Sequence, residues 1–165
     1  MTETDELVAR AKAYASDFAM GHLPVPPARK VAVIACMDAR LNVYGLFGLD
    51  EGDAHVIRNA GGAVTDDAIR SLAISQRLLG TEEVILVHHT DCGMLSFKGD
   101  DLAAQIESDT GIRPPWALET FSDLDRDVRQ SIARIKASPF VPHKDAVRGF
   151  VYDVATGALR EVTPA

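Results

Sequence analysis

The sequence predicts an α/β fold built on a parallel sheet. Residues 31–35 and 84–87 are short runs of mostly small or β-branched apolar residues, a pattern typical of strands that are buried on both faces. A helical pattern that begins at Thr65 and ends at Gly80 connects a strand at 54–57 with the strand at 84–87, which makes a βαβ unit with a right-handed crossover. The chain of 165 residues is long enough for one core, so we expect a single domain.

Helix and turn signals predict the remaining elements. An amphipathic helix over residues 4–20 precedes a proline-rich arm that ends at Pro27. This helix either packs on a partner subunit or folds back on its own sheet. The other expected elements are a short helix capped by Asn42 that ends at Phe47, a helix over 100–108, a helix from a cap at Ser122 or Asp123 to Ala137, and a C-terminal hairpin of strands 147–154 and 158–162.

Composition restricts the function classes. The net charge is −7, which disfavours nucleic acid and acidic membrane surfaces as partners and leaves a small molecule as the expected substrate. Two cysteines are too few for a disulfide framework and suit metal or redox chemistry in a reducing compartment. The acidic N-terminus lacks the pattern of a signal peptide, and no apolar run reaches the ~18 residues of a membrane span, so we expect a cytoplasmic protein.

Side chains that are candidates for a functional site follow two of the predicted strands. Cys36, Asp38 and Arg40 come at the end of the first strand, and His89 and Cys92 at the end of the strand at 84–87. Because the carboxyl ends of neighbouring parallel strands meet at one edge of a sheet, we expect these side chains to lie close together. A set of two Cys and one His with one open position is a catalytic zinc arrangement.

These motifs resemble those of the β-carbonic anhydrases. Residues 36–40 match the Cys-x-Asp-x-Arg motif of that family, residues 89–93 match its His-x-x-Cys-Gly motif, and residues 58–61 match the Arg-Asn-Ala-Gly loop between them. The short chain looks like the compact branch of the family. The resemblance implies a three-layer α/β/α fold with four parallel strands and an antiparallel edge strand. It also implies a homodimer or a dimer-based tetramer in which residues 1–28 lie on the partner.

The resemblance further implies the reaction and its residues. One zinc ion per subunit would be held by Cys36, His89 and Cys92, and a zinc-bound hydroxide would convert CO2 reversibly to bicarbonate and a proton. Asp38 would accept a hydrogen bond from that hydroxide, and Arg40 would keep Asp38 ionised. Since two thiolates add negative charge to the ion, we expect activity to rise toward alkaline pH.

Several alternatives stay open on the sequence alone. If Arg40 releases Asp38, that carboxylate could swing onto the zinc and close the site. The cysteines could also be plain buried thiols, and the Asp38–Arg40 pair could be purely structural. Relatives hydrolyse carbon disulfide or carbonyl sulfide on the same zinc site, and a zinc-stabilised regulatory protein is a third function.

Predictions also follow for other residues near the motifs. Gly61, Gly62 and Gly93 are candidates for lining the substrate pocket, although a simple turn would also explain paired glycines. His88 points to the opposite side of its strand from the predicted ligand, so we expect a core or interface histidine. Some bacterial relatives use a Trp where this chain has Ala39 to bind a regulatory bicarbonate, so we do not expect that form of regulation.

Overall fold

A computed structural model describes residues 1–163 of the chain, and its centre is one five-stranded sheet. The strand order is β2-β1-β3-β4-β5. The first four strands are parallel, and β5 is antiparallel to β4, as the resemblance implies. The strands are β1 (Val31–Cys36), β2 (Ala54–Asn59), β3 (Glu83–His89), β4 (Val147–Tyr152) and β5 (Leu159–Val162).

Helices and loops cover the two faces of the sheet differently. Ala32 and Ile34 of β1 face a core that includes the apolar stripes of α3 and α5. Val33 and Ala35 face the other way, toward residues of α2 and of the loops that follow β1 and β3. The helices are α1 (Glu3–Ser16), α2 (Val43–Phe47), α3 (Asp66–Arg77), α4 (Gly99–Thr110) and α5 (Leu124–Ala137).

The predicted helix starts agree with the cap hydrogen bonds. Asn42 Oδ1 accepts from the backbone N–H of Gly45 at 3.1 Å and so begins α2. Thr65 Oγ1 accepts from the N–H of Ala68 at 3.2 Å at the start of α3. Asp123, one of the two candidate caps, begins α5, because its side chain accepts a hydrogen bond from a backbone N–H of the first turn.

Several element bounds differ from the predicted ones by one to four residues, and three of the ends have a local explanation. Helix α1 ends at Ser16 instead of residue 20, and the Ser16 hydroxyl donates to a carbonyl of the last turn. Strand β4 ends at Tyr152 because the Asp153 carboxylate accepts from the next backbone N–H groups and turns the chain. Helix α4 continues to Thr110, and Gly111, with φ of 76°, ends it in the left-handed conformation.

Helix α1 does not fold back on the sheet. None of its residues is buried, and its Tyr14 hydroxyl donates a hydrogen bond to Glu51 in the turn before β2. Of the two placements expected for this helix, packing on its own sheet is therefore wrong. Across residues 1–163, no helix has both the length and the apolar character needed to cross a bilayer.

Helix α5 packs closely on β4 at Gly149, which predicts a stability effect. A methyl group added there would lie 2.3 Å from Val128 Cγ1 and 3.0 Å from Ile132 Cδ1. We expect Gly149→Ala to lower the free energy of unfolding in urea by about 1–3 kcal/mol through overpacking. Gly21→Ala is the control, since its methyl meets only a Phe18 ring atom at 3.8 Å. Equal stability of the two variants would contradict this packing.

Candidate metal centre

Two neighbouring strands bring the predicted ligands to one edge of the sheet. Cys36 is the last residue of β1, and His89 is the last residue of β3, its parallel neighbour. A short turn follows β3, in which Asp91 has φ of 53°, and this turn brings Cys92 back toward the sheet edge. The juxtaposition therefore depends on strand pairing and not on proximity in sequence.

The side chains of Cys36, His89 and Cys92 form a compact group, the Cys–His–Cys cluster. The two Sγ atoms lie 3.9 Å apart. One ligand atom from each of the three residues lies within 4.8 Å of the others, and all three side chains are buried. No other group of this kind occurs among residues 1–163. The proximity expected from the sequence is confirmed.

His89 is prepared to bind a metal through Nε2. Its Nδ1 lies 2.8 Å from the carbonyl oxygen of Thr90. Because a carbonyl only accepts, Nδ1 carries the hydrogen, and neutral imidazole keeps its lone pair on Nε2. Nε2 is buried and has no hydrogen-bond partner among the described residues. An unpartnered buried polar atom is costly, and a metal ion would satisfy it.

The surroundings of the two thiols favour one thiolate. The pKa of Cys36 is held well below its usual range, chiefly by a hydrogen bond from the Cys92 thiol. His89 and the backbone N–H groups of Asp38 and Gly61 add to this effect, and burial opposes it. Interaction with Cys36, and then burial, raise the pKa of Cys92. The thiolate is the form that binds metal, so the cluster already favours the required protonation state.

The ring of His89 responds to the same thiolate. Burial lowers the pKa of His89, but interaction with Cys36 and with the Thr90 carbonyl outweighs burial and raises that pKa overall. A metal ion would displace this proton, because imidazole binds metal in its neutral form. Two thiolates and an imidazole are soft and intermediate ligands, which suit zinc. The residues present therefore fit a zinc ion.

Asp38 lies beside the cluster and is held by Arg40. Arg40 Nε and Nη2 donate to the two carboxylate oxygens at 3.0 and 2.8 Å, and its backbone N–H donates to Oδ1 at 2.8 Å. These bonds hold the pKa of Asp38 well below its usual range. Asp38 Oδ2 is also 3.7 Å from His89 Nε2. The carboxylate is therefore ionised and close to the ligand atoms.

Arg58 fixes the loop that carries Asp38. Its Nε donates to the Cys36 carbonyl at 2.9 Å, and its Nη2 donates to the Asp38 carbonyl at 2.8 Å. The sequence pattern marked Arg58 as part of a motif without giving it a task. The motif was visible in the sequence, but these two hydrogen bonds form only because the Arg58 side chain reaches from β2 across the end of β1.

The three candidate pocket glycines have different surroundings. Gly61 and Gly62 are buried in a short 3-10 turn, with φ of 79° and 66°. A methyl group on Gly62 would lie 3.0 Å from the backbone nitrogen of Cys36 and 3.2 Å from the Val87 carbonyl. Gly62 therefore lets the turn pack against the ends of β1 and β3. Gly93 is exposed, and a methyl group there would contact nothing within 4 Å.

His88 lies on the other face of the sheet, as expected. Its Nε2 is 2.6 Å from the Asp127 carboxylate of α5, and its ring lies near Phe121. This partly buried contact connects β3 to α5. His88 is therefore separate from the Cys–His–Cys cluster.

Fold and cluster together define an α/β protein with a Cys2His cluster that could hold a metal ion at the carboxyl edge of its sheet. A sequence model of the family described as carbonic anhydrase matches residues 31–113. The chain is 60% identical over 164 residues to β-carbonic anhydrase 1 of Mycobacterium tuberculosis, covering 99% of this chain and 100% of that protein. The chain belongs to the β-carbonic anhydrase family.

Two further relatives describe the range of that family. The crystal structure of carbonic anhydrase from Streptococcus mutans superposes with a TM-score of 0.91 at 42% identity and covers 99% of each chain. A carbon disulfide hydrolase of Acidithiobacillus thiooxidans is 34% identical over 157 residues, which cover 82% of this chain and 78% of that protein. The chain is thus more similar to the mycobacterial anhydrase than to this hydrolase.

The lowered pKa of Cys36 predicts a thiolate in the metal-free protein. Since that pKa lies well below the ordinary value, the ultraviolet absorbance of one thiolate should persist below pH about 8, where an ordinary thiol is protonated. Cys36→Ser should remove this absorbance. Cys92→Ala should keep it but move its midpoint to higher pH, because the main hydrogen-bond donor is lost. Absorbance that disappears below pH about 8 in the unmodified protein would contradict the prediction.

Proposed function

We propose that the chain catalyses the zinc-dependent, reversible hydration of CO2 to bicarbonate and a proton. The observation that carries the proposal is the Cys–His–Cys cluster with an ionised Asp38 beside it. The 60% identical relative named β-carbonic anhydrase 1 supports the same activity. Cys36 Sγ, His89 Nε2 and Cys92 Sγ would hold one zinc ion in each subunit.

When bound, zinc would supply a Lewis acid that acidifies water at the position the protein leaves free. The protein's own contribution to the reaction begins with the charge of the cluster. Two thiolates would cancel the formal charge of the dication, so this acidification is weaker than with three neutral imidazoles. The donor set therefore favours activity at alkaline pH.

Asp38 would orient the reacting water. Its Oδ2, 3.7 Å from His89 Nε2, is the carboxylate oxygen near the ligand atoms and can accept a hydrogen bond there. A water held by one acceptor directs its remaining lone pair in a defined direction, which helps attack on carbon. Arg40 would keep Asp38 ionised and aligned through its two parallel hydrogen bonds.

Apolar side chains around the cluster suit an apolar substrate. Cys36 and Cys92 belong to a core cluster with Leu41, Val43 and Met94, against which partly buried aromatic residues pack. CO2 has no net dipole and no hydrogen-bond donor, so an apolar wall is compatible with it. Carbon disulfide would meet the same wall, but its hydrolases are the more distant relatives, as the 34% identity of the Acidithiobacillus thiooxidans protein illustrates.

The N-terminal segment supports an oligomer. Leu7, Val8, Tyr14 and Phe18 are each at least half exposed, and several share one stripe of α1. An exposed apolar patch of this kind is typical of a protein interface. We therefore propose a homodimer, or a tetramer built from dimers, in which residues 1–28 pack on the partner. We also propose a cytoplasmic location and a single domain over residues 1–165, whose last two residues lie outside the described part.

Stopped-flow measurement of CO2 hydration tests the proposed activity. The zinc-loaded protein should turn over at pH about 7 and faster at pH about 9, since the thiolates reduce the acidity of the site. Cys36→Ala should abolish turnover, whereas Ser96→Ala, an exposed position outside the cluster, should not change it. A protein with zinc bound and no turnover at either pH would contradict the proposal.

Sedimentation equilibrium tests the role of α1. The unmodified chain should be a dimer or a tetramer, and the double variant Leu7→Asp, Phe18→Asp should dissociate at much higher concentrations because charges replace the apolar stripe. Lys12→Asp, which lies off that stripe, is the control and should associate like the unmodified chain. A monomeric unmodified chain, or equal association of all three proteins, would contradict the interface.

A further inference from the structure

Asp91 contacts Arg40, a residue of the proposed active site, but has no proposed role so far. It lies in the turn between the two ligands of the β3 side, His89 and Cys92. Its carboxylate Oδ2 accepts from Arg40 Nη1 at 2.7 Å, and its carbonyl accepts from Arg40 Nη2 at 2.9 Å. Its φ of 53° lies in the left-handed region, which Asp and Asn tolerate better than most residues.

The hydrogen bonds of Arg40 show that Asp91 and Asp38 do not compete. A guanidinium has five N–H groups. Asp38 takes the Nε hydrogen and one Nη2 hydrogen, whereas Asp91 takes one Nη1 hydrogen with its carboxylate and the second Nη2 hydrogen with its carbonyl. Arg40 therefore connects the loop after β1 with the loop after β3.

This connection has a consequence for Asp38. Arg40 has a long and partly exposed side chain, and its two parallel bonds to Asp38 require that the guanidinium stay in one orientation. Asp38 Oδ2 is 3.7 Å from His89 Nε2, so a modest rotation would carry a released carboxylate into the Cys–His–Cys cluster. A second anchor on Arg40 opposes that rotation.

We propose that Asp91 is a positioning residue that anchors Arg40 and thereby keeps Asp38 out of the Cys–His–Cys cluster. The inference deepens the proposed function, since it rests on a metal ion in that cluster. The Asp91 side chain is 78% exposed, and an exposed ion pair contributes little to folding stability. An effect of Asp91 on the site can therefore be separated from an effect on folding.

Two substitutions weaken and then remove the carboxylate part of the anchor, and both leave the bond from Arg40 Nη2 to the carbonyl of residue 91 in place. Asp91→Asn retains an oxygen that can accept from Nη1 but loses the charge, and Asn tolerates the left-handed conformation. Asp91→Gly removes the side chain and also tolerates that conformation. Glu82→Gln is the control, because it removes a carboxylate of an exposed ion pair, with Lys30 at 2.8 Å, before the opposite end of β3.

The main readout is azide binding to the cobalt-loaded protein, followed by visible absorption. Azide needs the position that Asp38 would take. Its apparent affinity therefore decreases when fewer molecules have that position free. We expect the ratio of free to Asp38-occupied molecules to decrease from the unmodified protein to Asp91→Asn and further to Asp91→Gly, by about two- to fivefold in total, as suits an exposed ion pair, and the azide affinity to decrease with the free fraction. Glu82→Gln should leave it unchanged.

A double-mutant cycle with Arg40→Gln shows whether Asp91 acts through Arg40. In the Arg40→Gln background, the two substitutions of Asp91 should have no further effect on azide affinity. For CO2 hydration, Asp91→Gly should lower kcat without raising KM in the Arg40 protein, and should change neither in the Arg40→Gln protein. If Asp91 only supported the structure of the turn, Asp91→Gly would lower kcat equally in the Arg40 protein and in the Arg40→Gln protein.

Three results would overturn the proposal. The first is equal azide affinity in the unmodified protein and both Asp91 variants. The second is an effect of Asp91→Gly that persists in full in the Arg40→Gln background. The third is an unmodified cobalt protein whose spectrum does not respond to azide, because Asp38 would then not be kept out of the cluster. Absence of CO2 turnover alone would contradict the proposed function and leave the azide cycle as a valid test of Asp91.

Discussion

The parallel pairing of β1 with β3 is the constraint on which the rest of the site depends. Cys36 and Cys92 are separated by 56 positions, and their Sγ atoms lie 3.9 Å apart because the two strands end at the same edge. The strands are buried on both faces, so their register is fixed by packing. Gly62 adds to this arrangement, since only a residue without a side chain fits against the ends of both strands. A rigid sheet thus positions ligands that loops alone would hold less well.

Charge around the cluster is arranged in two layers. Next to the ligand atoms, backbone N–H groups and the neighbouring thiol stabilise the Cys36 thiolate. Further out, Arg40 holds one carboxylate at the cluster and a second in the turn after β3. Arg58 fixes the backbone from Cys36 to Asp38 by donating to the carbonyl groups of these two residues. Arg40 therefore connects the loop after β1 to the turn after β3, and Arg58 connects the same loop to β2, which is how a small site keeps its geometry without a large core of its own.

The sequence predicted the elements that depend on local pattern. The apolar runs at β1 and β3, the caps of α2 and α3 and the final hairpin all follow from residue types within a few positions, and the ligands follow because strand ends share an edge. Contacts that depend on where long side chains reach were missed, such as those of Arg58 and Asp91. The end of α1 was also missed, because the apolar stripe continues to Phe18 while the helix ends at Ser16. Residue propensity did not mark that end.

The most direct test of the zinc assignment is a crystal structure of the zinc-loaded protein with anomalous data collected at the zinc absorption edge. We expect one anomalous peak per chain, bonded to Cys36 Sγ, His89 Nε2 and Cys92 Sγ, with Asp38 on Arg40. No peak within reach of these three atoms would contradict the assignment of the cluster as a zinc site. A peak bonded to Asp38 as a fourth protein ligand in an active crystal form would contradict the proposal that Arg40 and Asp91 keep Asp38 off the metal.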